Sequence, residues 1–137
     1  MDDVAFVGLG SNLGDRAAHL AAARDRVSGI PGTKIIAVSA IEETEPIGPA
    51  LQGRYLNQMI ALQTSLDPAQ LLAELHRVEQ LGGRARTVHW GPRTIDLDIV
   101  KYASTTWSSP ELQVPHREID NREFWRRELA ELAEVMI

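Results

Sequence analysis

Apolar positions recur along this chain with two periods, and the switches between them mark its elements. Val4–Leu9 is a short run rich in β-formers that ends at Gly10-Ser11-Asn12, the pattern of a buried strand. Leu13, Ala17, Leu20 and Val27 then return at helical spacing, and Pro31-Gly32 closes that helix. Lys34–Glu42 reads as a second strand. Thr44–Arg54, broken by Pro46, Gly48, Pro49 and Gly53, reads as a loop. Tyr55–Leu66 alternates as a third strand. Asp67-Pro68 is a helix start, with the carboxylate as cap and the proline in the first turn, and Leu71, Leu75 and Val78 form the buried stripe before Gly82-Gly83. Arg84–Arg93 is polar and loop-like, and Thr94–Tyr102 is a fourth strand. After a loop holding Pro110 and Pro115, a last helix from about Asn121 aligns Trp125, Leu129, Leu132 and Met136 on one face.

The order strand, helix, strand, strand, helix, strand, terminal helix predicts one α+β domain over residues 1–137. It is the ferredoxin-like split βαβ pattern, an antiparallel four-stranded sheet with two helices packed on one face. That architecture serves many functions, RNA binding included, so the chemistry has to come from particular side chains.

Composition narrows the field. At 137 residues, with 44% hydrophobic and 24% charged positions, the chain has the make-up of an ordinary globular domain. No segment approaches the roughly 18 apolar residues of a membrane span. Asp2 and Asp3 precede the first strand where a signal peptide would carry basic residues, so a cytoplasmic protein is expected. The absence of cysteine excludes disulfides and thiolate metal sites. A net charge of −5 argues against a surface built for nucleic acid, and a monomer that binds neither nucleic acid nor membrane is expected. The basic residues are nearly all arginine, Lys34 and Lys101 being the exceptions. Arg84, Arg86 and Arg93 fall together, followed by Arg117, Arg122, Arg126 and Arg127. Arginine is the side chain suited to bidentate phosphate contacts.

The segment Trp90-Gly91-Pro92-Arg93-Thr94-Ile95-Asp96-Leu97-Asp98-Ile99 carries the most information. Alternation along a strand puts Asp96 and Asp98 on one face and Ile95, Leu97 and Ile99 on the other, toward the core. Two carboxylates so close repel each other, and a divalent cation compensates them. Oxygen donors alone suit magnesium, which completes its shell from water and substrate phosphates. An Asp-x-Asp pair can also be the wet side of an edge strand. Here arginines precede it and Pro115-His116 and Arg122 follow, the constellation of a nucleotide triphosphate site. The chain has no Gly-x-x-x-x-Gly-Lys loop, and Gly8-Leu9-Gly10 is not completed as a dinucleotide fingerprint because Leu13 stands where the third glycine would fall. His19, His76, His89 and His116 lack the spacing of zinc ligands.

Several separated motifs, in order from Val4 to about Phe124, resemble the 6-hydroxymethyl-7,8-dihydropterin pyrophosphokinases of folate biosynthesis. They are Gly10-Ser11-Asn12-Leu13-Gly14-Asp15, Thr44-Glu45-Pro46-Ile47-Gly48-Pro49 with Tyr55-Leu56-Asn57, the Gly91–Asp98 segment, and Val114-Pro115-His116. The resemblance implies an enzyme that moves a diphosphate from ATP to a hydroxymethyl pterin and releases AMP. It implies that Asp96 and Asp98 bind two magnesium ions. Arg84, Arg86 and Arg93 would lie on or beside a loop that closes over ATP, with Arg84 and Arg93 joining the two aspartates as catalytic residues. His116 and Arg122 would contact phosphates, and His76 and Arg77 would lie near the nucleotide. Thr44, Ile47, Tyr55, Asn57, Trp90 and Phe124 would form the pterin pocket, Tyr55 and Phe124 stacking on the ring. A flat heterocycle with an amide-like edge suits an aromatic face and an asparagine two residues apart on one strand, although Tyr55 and Phe124 would also serve as core packing. The chain leaves the family pattern at its end, where Trp125-Arg126-Arg127-Glu128-Leu129 takes a charged helical course, and at Arg117 and Lys101. A different magnesium-dependent nucleotide transferase, or a ferredoxin-like module that binds pterin, nucleotide or RNA without this activity, are the competing readings.

Overall fold

The computed structural model describes residues 2–45, 53–82 and 94–136. Strand β1 (Asp3–Ser11) pairs antiparallel with β4 (Tyr55–Thr64) on one side and with β5 (Asp96–Tyr102) on the other. Strand β2 (Thr33–Val38) takes the outer side of β4, giving the order β2-β4-β1-β5, and the short β3 (Glu42–Thr44) also pairs with β4. Leaving β3 aside, this is the ferredoxin-like order.

Among the described residues three helices cover the sheet: α1 (Arg16–Ser28), α2 (Pro68–Leu81) and α3 (Glu123–Val135). Odd-numbered residues of β1 point to one face, where Ala5, Val7 and Leu9 pack with Leu20 and Val27 of α1 and Leu71 and Leu75 of α2. Each of these valine and leucine side chains contributes about 1.5–3 kcal/mol by leaving water. The expected pair of helices on one face is therefore present. The opposite face is covered by α3, where Trp125 and Leu132 pack on Phe6, Met59, Ala61 and Val100.

Local chemistry sets the helix ends. Asp67 and Gln70 form a reciprocal capping box at α2, and Pro68 occupies its first turn. Asp15 caps α1 by accepting from the Ala18 N–H at 3.1 Å, and Gly14 ahead of it has φ +71°, a conformation that suits glycine.

Three boundaries differ from the sequence reading. The strand expected over Lys34–Glu42 is two strands, because residues 39–41 leave the ladder. The Ser39 hydroxyl accepts from the Met59 N–H at 2.9 Å, and the Ala40 N–H donates to Glu131 of α3 at 2.8 Å. Helix α1 stops at Ser28, where the Gly29 N–H caps the carbonyls of Arg26 and Val27 before Pro31-Gly32 is reached. The loop with Pro110 and Pro115 contains a small hairpin, β6 (Trp107–Ser108) with β7 (Gln113–Val114), and one 3₁₀ turn at Ile119–Asn121 precedes α3. Among the described residues no helix is long and apolar enough to cross a membrane.

Candidate active site

The two aspartates emerge from β5 as alternation dictates. Leu97 and Ile99 are buried toward α1 and α2, while Asp96 and Asp98 share the α3 side with Val100. Antiparallel register sets Asp96 beside Gly10 and Asp98 beside Gly8 on β1, and Gly10 in turn beside Asn57 on β4. A row of side chains thus crosses the sheet from carboxylate to carboxamide over a glycine. The space above that glycine is tight. A Cβ on Gly10 would lie 3.1 Å from Asn57 Oδ1 and 3.3 Å from the Tyr55 ring. On Gly8 it would meet Trp125 Nε1 at 2.8 Å.

Beyond β5 a cleft of about 690 Å³ opens, lined by Asp96, Asp98, His76, His116 and Arg122 among others. The structure thus brings together five residues that the sequence separates by up to 46 positions. Arg122 stands at the start of α3, with its guanidinium carbon 4.4 Å from the Trp125 ring centroid and Nη1 3.9 Å from Asp98 Oδ2. Its Nε is buried and has no hydrogen-bond partner among the described residues. A buried N–H of this kind calls for an acceptor, and an anionic oxygen in the cleft would supply one.

His116 is oriented from three directions. Its backbone N–H donates to the Val100 carbonyl at 2.7 Å, its ring meets Trp125 edge-on at 4.9 Å, and Nδ1 accepts the Glu118 N–H at 3.0 Å. Because Nδ1 is an acceptor, the neutral ring carries its proton on Nε2. Burial, helped by the nearby Arg122 charge, lowers the pKa of His116 below the usual histidine range. The ring is therefore a neutral donor near neutral pH.

On β4 and β3 the second half of the site forms. Thr44 pairs with Tyr55 and Glu42 with Asn57, so all four side chains rise on the α3 side. The Asn57 amide donates to the Thr44 hydroxyl, which leaves the amide plane fixed. Phe124 packs edge-on against Trp125, with centroids 6.2 Å apart. The Gly10–Asp15 motif ties down the neighbouring chain. Asn12 Nδ2 donates to the Gly53 carbonyl at 3.2 Å, and Arg16 reaches both the Arg54 carbonyl and Glu43 at 2.9 Å. The Arg16 hydrogen bond holds the Glu43 carboxyl below its ordinary range.

Of the other expected site residues, Ile47, Arg84, Arg86, Trp90 and Arg93 lie outside the described residues. Arg77 extends from α2 with 71% of its side chain exposed and pairs with Glu74 at 3.6 Å; it does not line the cleft. Three contributors were not read from the sequence. Glu79 is 5% exposed, lines the cleft, and accepts the Leu97 N–H between the two aspartates at 2.8 Å, satisfying a donor on the outer edge of β5. Trp125 was read only as a core residue. Glu128, two per cent exposed on the inner stripe of α3, went unread because a charged residue is expected outside.

Magnesium fits this donor set. No group of three or more histidine and carboxylate ligands occurs among the described residues, but magnesium needs only one or two carboxylates when phosphates complete its shell. Asp96 and Asp98 offer hard oxygens at the mouth of a cleft whose other lining residues include a cation and a neutral donor.

Comparison with known proteins gives one answer. The sequence profile described as 7,8-dihydro-6-hydroxymethylpterin-pyrophosphokinase (HPPK) matches residues 6–134. The chain is 41% identical over 128 residues to a 2-amino-4-hydroxy-6-hydroxymethyldihydropteridine pyrophosphokinase of Pseudomonas aeruginosa, covering 93% of this chain and 79% of the relative. It is 37% identical over 134 residues to the Bacillus subtilis protein of the same name, covering 98% and 80%. A solved structure of an HPPK-DHPS protein in complex with substrates superposes with a TM-score of 0.66 at 14% identity. That match covers 89% of this chain and 38% of the larger one, and it speaks to the fold.

Proposed function

Since the chain belongs to the 7,8-dihydro-6-hydroxymethylpterin-pyrophosphokinase family, we infer that it transfers diphosphate from ATP to the hydroxymethyl group of 6-hydroxymethyl-7,8-dihydropterin, in folate biosynthesis. The observation that carries the reading is the row Asp96, Gly10 and Asn57 across one sheet face, with Asp98 and Tyr55 beside it and the His116 and Arg122 cleft at its carboxylate end. A polyanion fits one end and a flat heterocycle the other, with glycine between them where any side chain would obstruct.

In the reaction the pterin hydroxyl oxygen bonds to the β-phosphorus of ATP. The bond from that phosphorus to the oxygen bridging the α-phosphorus breaks, AMP leaves with that oxygen, and the hydroxyl proton is lost. Asp96 and Asp98 would hold magnesium, two ions being expected, which when bound neutralises phosphate charge and lowers the pKa of the attacking hydroxyl. Arg122 and the Nε2–H of His116 donate to phosphate oxygens, and His76 stands at the nucleotide end of the same cleft. Arg84, Arg86 and Arg93 add guanidinium groups on the segment before β5, and Arg77 is assigned a place near the nucleotide. Thr44, Ile47, Tyr55, Asn57, Trp90 and Phe124 hold the pterin. The Asn57 amide, fixed by Thr44, matches the donor and acceptor edge of the ring. The work of the protein is alignment and charge neutralisation. The whole of residues 1–137 forms one catalytic domain, working as a cytoplasmic monomer.

The decisive assay follows AMP with ATP and magnesium, with and without the hydroxymethyl pterin. AMP formation that requires both substrates is expected, and pterin-independent AMP or none would overturn the reading. His116→Ala is expected to raise the KM for ATP about tenfold or more, the loss of one hydrogen bond to a charged group, with the pterin KM little changed. An equal rise in both constants would contradict the assignment of this ring to phosphate.

A further inference from the structure

The pterin end of the site rests on a buried acid that the reaction does not use. Glu128 lies on the inner face of α3, two per cent exposed, at a helical position that ordinarily takes an apolar side chain. Neither of its carboxyl oxygens has a hydrogen-bonding partner among amide, hydroxyl or guanidinium donors of the described residues, and the same holds for the buried Oε1 of Glu42. The two carboxyls act on each other, and buried carboxyl oxygens left without other donors are accommodated when one of the pair keeps its proton. Glu42 is the partner that a guanidinium engages, with Arg127 Nη2 3.3 Å from its Oε2. Glu128 is then the protonated member, its pKa pushed up to about 9 by burial and by Glu42.

The location gives this pair a consequence. Glu42 stands directly opposite Asn57 on β4, and two residues along β3 on the same face is Thr44, which accepts from the Asn57 amide. Strand β3 is only three residues long and pairs with β4 alone, and beyond that ladder it is held at its exposed side by Arg16 and Arg54 on Glu43 and at the α3 side by Arg127 on Glu42. Resting on the pterin reading above, we propose that protonated Glu128 is a positioning residue. It donates to Glu42 and ties β3, with Thr44 and through it the Asn57 amide, to α3. Ionisation of Glu128 puts two carboxylates against each other, loosens that tie and weakens pterin binding.

The charges acting on Glu128 are Glu42 from β3, and Arg127 and Glu131 from α3 itself; Glu131 is engaged by the Ala40 N–H. On the other strands, the α3-facing Phe6 and Gly8 of β1, Ala37 of β2, and Asn57, Met59 and Ala61 of β4 carry no charge, while Asp96 and Asp98 of β5 stand on this face at the cleft, with Arg122 3.9 Å from Asp98. Lys101 of β5 lies over the Phe6 ring at 5.5 Å. A raised carboxyl pKa means that the folded state binds the proton more tightly than the unfolded chain. Stability therefore falls with rising pH, from the ordinary carboxyl pKa up to about 9.

Two variants test the proposal. Glu128→Gln keeps a donor toward Glu42 at every pH, and Glu128→Leu fills the space without one. Melting temperature and the dissociation constant for the hydroxymethyl pterin, by fluorescence titration, are measured from about pH 7 to pH 10 for both and for the unaltered protein. The unaltered protein is expected to lose pterin affinity about tenfold over this range. Glu128→Gln is expected to keep its affinity over the range relative to the unaltered protein and to melt with a flatter pH dependence. Glu128→Leu is expected to bind pterin about tenfold more weakly at pH 7 while its ATP affinity stays. If Glu128→Leu binds pterin as well as Glu128→Gln, the positioning role is overturned. If melting temperature has the same pH dependence in Glu128→Gln as in the unaltered protein, the shared proton is overturned as well. Failure of the family reaction appears separately, as the absence of pterin-dependent AMP from the unaltered protein.

Discussion

Asp98→Ala is expected to lower turnover by about 10³-fold or more while the protein stays folded. The side chain is 41% exposed and its ion pair with Arg122 spans 3.9 Å. Such a pair contributes about 0–1 kcal/mol to stability once solvent screening is counted, and the truncation opens no cavity in the core. On the proposed reading the catalytic loss is larger, because Asp98 and Asp96 would supply the hard oxygens of the carboxylate end. Removing a single preorganised electrostatic group from a transfer site costs about 10²–10³-fold, and here it would also weaken the proposed seat for magnesium. AMP formation and a thermal melt on the same preparation check both halves. Turnover within tenfold of the unaltered enzyme would remove Asp98 from the site. A collapse of the melting temperature would make its role structural.

Trp125→Ala should have the largest effect on stability. The indole is 3% exposed and supports four neighbours: the His116 ring edge-on, the Arg122 guanidinium across its face, Phe124 beside it, and the bare backbone of Gly8 beneath. Truncation of a buried tryptophan costs about 3–5 kcal/mol. For a domain of this size that lowers the melting temperature by about 10 °C or more. Loss of the platform also frees His116 and Arg122 together, so the KM for ATP is expected to rise more than in His116→Ala. Trp125→Phe, which keeps a ring over Gly8, should recover most of both. A melt unchanged by Trp125→Ala would contradict the packing of α3 on the sheet.

How much was legible in the sequence depended on whether the signal was local. The Asp-x-Asp pair could be assigned to one face of a strand from the two-residue period alone, and Leu97 and Ile99 are buried behind it as that period requires. Asp67-Pro68 announced the start of α2 through capping chemistry contained within four residues. Tyr55 and Asn57 could be set on one face for the same reason. The break in the second strand was not legible, because it depends on the Met59 N–H reaching the Ser39 hydroxyl and on Glu131 of α3 being there to accept the Ala40 N–H.

Arrangements that depend on register or on helix docking were decided elsewhere. Nothing local says that Gly10 separates Asp96 from Asn57, since both pairings join residues more than 40 positions apart. Glu128 looks like one more charge in a polar helix until α3 turns it inward against Glu42. The sequence by itself determined the period of each element, the caps, the supply of oxygen donors and guanidinium groups, and the family. Tertiary structure alone decided which groups meet, because a side chain's neighbours across a sheet are set by strand order and register. Whether a carboxyl is charged then depends on the burial and the partners that result.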